Sequence, residues 1–142
     1  MKACLKLEDG ATRALCTKGT GSYCHAATHR LDDGTHRVRI GGNMLSLHVF
    51  LAAVDKDISS NGDIIWHADA GGLRCSGVLY SAGEMSDCTA ATAGELQIDL
   101  DATKRTAAFR QQGRLLGEVT GLPSAVKLVV SMPYKDQFVT LL

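Results

Sequence analysis

Residues 95–119, ELQIDLDATKRTAAFRQQGRLLGEV, hold three short alternating runs joined by two tight polar turns. Leu96, Ile98 and Leu100 fall on one side of an extended chain, Gln97 and Asp99 on the other. That period of two belongs to a strand with one buried face and not to a helix. Asp101 can accept backbone donors within its own DATK turn, and Gly113 can supply a positive φ without a Cβ clash. The reading is three strands, 95–100, 105–110 and 114–119, folded as a meander. Its register is set by the face that carries Leu96, Ile98, Leu100, Ala107 and Phe109.

The same period recurs. In THRVRI, His36, Val38 and Ile40 share a face opposite Arg37 and Arg39. In LSLHVFLAAV, Leu45, Leu47, Val49 and Leu51 share one face, while Phe50 and Ala52 opposite them suggest a strand buried on both sides. In VKLVVSM, Val126, Leu128, Val130 and Met132 alternate with Lys127, Val129 and Ser131. Turn signals such as EDG, DDG, GGN, SSNGD and QQG punctuate the chain, and two prolines against fifteen glycines leave the turns to Gly, Asn and Asp. Many short strands between such turns predict a sandwich or barrel. Thr and Gly interrupt the Ala-rich segments, so at most one short helical turn is expected, and residues 84–94 read as a surface loop. The fold class is all-β.

The chain has 142 residues, the size of one domain, and 45% hydrophobic residues, enough to bury a core without covalent staples. Fifteen basic residues balance fifteen acidic ones, which argues against a generic nucleic-acid or acidic-membrane partner. Aromatics make up 5%, so the core must be filled mainly by Leu, Val, Ile and Ala. Cysteines stand at 4, 16, 24, 75 and 88, an odd number without a CxxC pair. There is no apolar secretory segment near the start and no run of eighteen apolar residues. These features predict free thiols in a reducing, cytoplasmic setting, with a single disulfide left open, and a monomeric domain.

With these runs in place, the chain resembles a known family. IDLDATKRTAAFRQQGRLLGEVTGLPSAVKLVVSMPYKDQFVTLL is similar to the C-terminal half of a SPRY domain. The LDxxxxTxxFxxxG meander is matched by Leu100, Asp101, Thr106, Phe109 and Gly113. A proline-bearing loop, a strand over Pro123 to Val130 and a closing strand over Val139 to Leu142 follow. LDDGTHRVRI, LSLHVFLAAVDKD, GDIIWHADAGG and SGVLYSAG resemble the earlier strands in the family's order, so the resemblance spans roughly residues 28–142. An aromatic usual at the place of Val38 is missing, Gln112 stands where Asn is usual, and the Gly of the family's iGva strand is replaced around Val49 to Leu51. The chain is identified as a divergent member. The resemblance implies a bent antiparallel β-sandwich of two sheets, of concanavalin-like jelly-roll type, filling residues 1–142, either standing alone or cut from a longer protein. It also implies a non-catalytic protein- or peptide-recognition module.

Candidate chemical sites are sparse. His25 and His29 stand four apart in HAATH, but on a strand that separates them by about 13 Å, too far for one metal ion, and no HExxH is present. Cys24 adjoins His25, yet neighbours on a strand face opposite ways. Cys75 follows Arg74, which could lower a thiol pKa. KGTGSY lacks a Walker pattern. DKDISSNGD, with Asp55, Asp57, Asn61 and Asp63, lacks the spacing of a Ca²⁺ loop. No catalytic residue, metal or cofactor is therefore expected. Two recognition candidates remain, placed by the family's partner-binding loops. Asp55 and Asp57 would accept hydrogen bonds from a basic or amide-rich ligand, and Met132, Pro133 and Tyr134 would supply apolar anchoring surface. Arg37 and Arg39 read as a solvated face. The alternative reading is a lectin-like carbohydrate-binding sandwich using Trp66, Tyr23 and Tyr80 for stacking.

Overall fold

The computed structural model describes residues 5–8, 10, 12–17, 24–28, 30–44, 46–55, 71–92 and 94–142. Among them are thirteen strands and no helix. The first three are short: β1 (Leu5–Glu8), β2 (Arg13–Cys16) and β3 (Cys24–Ala27). Next come β4 (Thr35–Gly42), β5 (His48–Ala53), β6 (Gly71–Arg74), β7 (Val78–Ser81) and β8 (Glu84–Asp87). The last five are β9 (Leu96–Asp101), β10 (Thr106–Gln111), β11 (Arg114–Val119), β12 (Val126–Met132) and β13 (Phe138–Leu141). They form two antiparallel sheets, seven strands in the order β1-β2-β13-β4-β9-β10-β11 and six in the order β3-β12-β5-β6-β7-β8.

The meander read from residues 95–119 is β9-β10-β11, with bounds shifted by a residue at its first two strands. Ile98 pairs with Phe109, and Phe109 with Gly117. Gln112 (φ 52°) and Gly113 (φ 76°) make the two-residue turn between Gln111 and Arg114. Both central residues are left-handed, which matches the twist of a hairpin and suits Gly best. A bulge between Phe109 and Arg110 shifts the register.

The inward faces meet in one core. The larger sheet contributes Ile40, Leu96, Ile98, Leu100, Phe109, Leu116 and Val119, and the smaller contributes Val49, Leu51, Leu73, Val126, Leu128 and Met132. Most are within 2% of complete burial, and each such side chain contributes roughly 1.5–3 kcal/mol by leaving water. Gly117 lets the two layers close tightly, because a Cβ there would sit 2.8 Å from Leu79 of β7.

β5 is buried on both faces, as its run of apolar residues implies. Val49 and Leu51 enter the main core, while Phe50 and Ala52 join Tyr80 and Val129 in a second cluster on the opposite side. The strand starts at His48 rather than at 45, and Leu45 lies outside the described residues. The expectation of a loop over 84–94 needs correction at its start. β8 continues from β7 through the left-handed pair Ala82 and Gly83 and pairs Leu79 with Ser86 and Tyr80 with Met85. All four of its side chains are exposed, so it carries no alternation for a sequence reading to detect.

Candidate functional site

The expected recognition residues lie at opposite ends of one strand. β12 runs from Val126, paired with Ala53 of β5, to Ser131, paired with His48. Asp55 follows β5 and therefore sits beside the start of β12, where Val54 N donates to Ala125 O at 3.3 Å. Pro133 and Tyr134 follow the other end of β12. Its seven residues, at about 3.3 Å each, hold the two candidates roughly 20 Å apart. They do not form one site. Asp55 is exposed, and Asp57 lies outside the described residues. Met132 is not the surface anchor that its place in SMPYKD suggested. The alternation of β12 turns it inward, where it is completely buried and its carbonyl lies 3.8 Å from Cys16 Sγ. Pro133 is half-buried, and Tyr134 is 47% exposed.

The loop that carries Tyr134 is fixed from beneath by Gln137, itself 1% exposed. Gln137 Nε2 donates to Asn43 O at 2.9 Å, and its Oε1 accepts from Tyr134 N at 3.4 Å. Asp136 N donates to Cys16 O at 2.7 Å, and Cys16 N donates to Gln137 O at 2.8 Å. Asp136 takes φ 69°, a left-handed turn conformation that Asp tolerates. A buried amide whose bonds are satisfied from two loops rigidifies both. Tyr134 is thus a large amphipathic side chain displayed on a loop with little freedom left to lose.

On the outward face of the smaller sheet, register places His25, Ser131, His48 and Arg74 in one cross-strand row. His25 Nδ1 and Ser131 Oγ are 2.6 Å apart. This resembles a base and a nucleophile, but Ser131 is 1% exposed and His48 3%, so substrate has no path to either. The row cements strands. Burial, then the positive charges of Arg74 and His25, push the His48 pKa down to about 4. His48 is therefore neutral in the folded protein, while in the unfolded chain it takes a proton below its ordinary value near 6.5. Its contribution to stability is complete above pH 6.5 and is lost as the pH falls toward 4. We expect urea unfolding to show about 3 kcal/mol more acid destabilisation over that window for the wild type than for His48→Gln. Parallel curves for the two proteins would refute a charge-averse His48.

Cys75 shows no sign of the lowering that Arg74 beside it could bring. It is 2% exposed, and burial, with a smaller effect from Cys88, pushes its thiol up to about 12. Arg74 points to the opposite face of the strand, its guanidinium 5.7 Å from the Tyr80 ring, and does not activate the thiol. Cys16, Cys75 and Cys88 are free thiols. Tyr80 is 5% exposed, so it offers no stacking face to a sugar. Trp66, Tyr23 and His29 lie outside the described residues. Among the described residues no group of three or more His, Cys, Asp or Glu is arranged to hold a metal, and no helix is long and apolar enough to cross a membrane.

Two antiparallel sheets in this strand order superpose on solved SPRY domains along nearly the whole chain. The TRIM65 PSpry domain matches with a TM-score of 0.77 at 13% identity, over 98% of this chain and 84% of that one. This is the SPRY fold. The SPRY domain of human HERC1 matches at 0.72 and 18% identity, over 98% of this chain and 92% of that one. A further human SPRY domain matches at 0.73 and 15% identity, over 98% and 94%. No sequence-family profile matches the chain, and no curated protein is similar to it in sequence. The LDxxxxTxxFxxxG meander belongs to this SPRY sandwich as β9 and β10 with their turns. The row of buried polar groups through Ser131 escaped the sequence reading. A His in the apolar LHVFLAA run was its one visible signal, and the pairing that joins it to Ser131 and His25 is not written locally.

Proposed function

We propose that this SPRY-fold chain is a non-catalytic module that binds a protein or short peptide through the loop around Tyr134. The observation that carries the reading is the pinned loop: an exposed aromatic beside a half-buried proline, anchored by the buried amide of Gln137. Aromatic side chains bring large contact area at low entropic cost, and a preformed loop reduces the ordering that binding requires. Recognition by loops on a rigid sandwich is also what the SPRY resemblance implies. Asp55, with Asp57 beyond it in sequence, serves as a separate acceptor for a partner that reaches the far end of β12. An intracellular setting fits the reduced thiols of Cys16, Cys75 and Cys88 among the described residues.

The test is selection of binders from a random phage-displayed peptide library, followed by affinity measurement on variants. Selected peptides are expected to lose about tenfold or more in affinity on Tyr134→Ala, since truncating a central aromatic anchor costs upward of about 1.4 kcal/mol. The melting temperature should hold, because an exposed side chain contributes within about 0.5 kcal/mol of nothing to stability. Selected peptides indifferent to Tyr134→Ala would remove this loop from the binding surface.

A further inference from the structure

The outward face of the larger sheet settles its own charges. Asp99 accepts from Arg37 Nε at 2.8 Å and lies 3.7 Å from Arg110 Nε. The space between the sheets is less evenly filled. At the corner built by β2, β13, β3 and β12, register sets inward side chains in adjacent rungs of each layer. In the larger sheet Ala14 pairs with Val139, and Leu141 with Ile40. In the smaller, Ala26 pairs with Val130, and Thr28 N donates to Leu128 O at 2.9 Å. Elsewhere the layers meet through Leu96, Ile98, Phe109, Val49 and Leu51. Here the inward positions include Ala14 and Ala26, whose single methyl groups reach least far. Both line a recess of about 240 Å³ between the layers.

The chemistry of the recess is nearly uniform. Ile40, Leu128, Val130, Val139 and Leu141 supply branched aliphatic walls. Thr12 and Thr28 are its two polar side chains, and among the described residues no charged one lines it. Ile40, Leu128 and Val139 are buried, whereas Leu141 is 40% exposed. Thr12 is exposed as well, and its carbonyl accepts from Leu141 N at 2.6 Å. The mouth therefore lies at Thr12 and Leu141, and the floor is apolar. Protein interiors are close-packed, so an unfilled volume of this size is a distinct feature of the core. An apolar cavity of about 150 Å³ stays dry and takes up benzene, so this larger one has room for about eight to ten carbons.

We propose that the recess binds a neutral medium-chain amphiphile, an alkyl chain of about eight carbons with a hydroxyl head. The chain lies between the sheets and the head meets the hydroxyls of Thr12 and Thr28. Volume and lining select this occupant. A helix, about 10 Å across, cannot enter. A carboxylate or ammonium head would leave water with no opposite charge in the lining to replace it. A sugar carries more hydroxyls than two threonines can satisfy. The mouth is at the Leu141 end of β13, and the Tyr134 loop is at its Phe138 end, so the proposal stands independently of that loop.

The experiment titrates the protein with n-butanol, n-hexanol, n-octanol and sodium octanoate. It follows the methyl NMR resonances of Ile40, Leu128, Val130, Val139 and Leu141. Octanol should shift these resonances and reach saturation. From butanol to octanol the affinity should rise about fourfold per added carbon, which is what each buried CH₂ contributes. Octanoate should bind at least about tenfold more weakly than octanol, because its charge is desolvated at the mouth. Ala26→Leu fills the recess and should abolish the shifts while the melting temperature holds or rises. Ala14→Leu makes the same test from the other wall should the first substitution overpack the core. Tyr134→Ala should bind octanol as the wild type does. Shifts that spread over the surface without saturating, or affinity indifferent to chain length, would overturn the proposal. So would octanoate binding as tightly as octanol, undiminished binding by a folded Ala26→Leu or Ala14→Leu protein, or loss on Tyr134→Ala.

Discussion

Replacing Gly72 with alanine is expected to abolish folding of this domain. Gly72 lies in β6 between Phe50 of β5 and Tyr80 of β7. A Cβ at this position would come within 2.1 Å of Phe50 Cβ, 2.5 Å of Phe50 Cα and 2.6 Å of Val49 O. Two of those three atoms are backbone, so no rotamer change relieves the clash, and the sheet would have to separate where it is buried on both faces. The loss should exceed about 4 kcal/mol, a large share of the roughly 5–15 kcal/mol that holds a typical domain together. Gly34→Ala is the control. Its added methyl meets nothing within 4 Å, and its φ of 79° alone should cost about 1–2 kcal/mol. Soluble yield and urea unfolding followed by circular dichroism separate the two. A Gly72→Ala protein that melts like the wild type would show that β5 and β6 do not approach as described.

Phe109→Ala should destabilise the domain by about 3–5 kcal/mol, the usual cost of emptying a fully buried aromatic site. Phe109 is completely buried and sits beside the β10 bulge, paired with Ile98 on one side and Gly117 on the other. Among the described residues Phe109 is the one aromatic of the main core cluster, so its neighbours there are aliphatic. For a chain of this length the melting temperature should fall by about 10 °C or more. Leu115→Ala on the same hairpin, at a side chain 45% exposed, should stay within about 0.5 kcal/mol of the wild type. Equal effects at the two positions would mean that the hairpin's inward and outward faces are assigned wrongly.

The faces of β4 and β9 were legible because one side of each packs on the core and the other meets water, while in β12, buried on both sides, the alternation of Val126, Leu128 and Val130 marked the face of the main core. Alternation thus placed Ile40, Ile98 and Leu128 correctly. β8 was missed because both its faces meet water, so nothing in EMSD alternates. Met132 was misjudged by its nearness to Pro133 and Tyr134, although the period of its own strand already turned it inward. Which strands become neighbours depends on pairings far apart in sequence. The separation of Asp55 from Tyr134, and the meeting of Arg37, Asp99 and Arg110, could not be read from local pattern.

The margin formed by β8 bears on whether one molecule meets another. A strand at the rim of a sheet offers bare amides and carbonyls to any chain that can zip alongside, including a twin. Were two copies to dock there head to tail in matched register, Glu84 of each would lie across from Asp87 of the other. Like charges so placed repel. The exposed thioether of Met85 between them is thereby fenced, and the rim carries its own deterrent against fibrous growth.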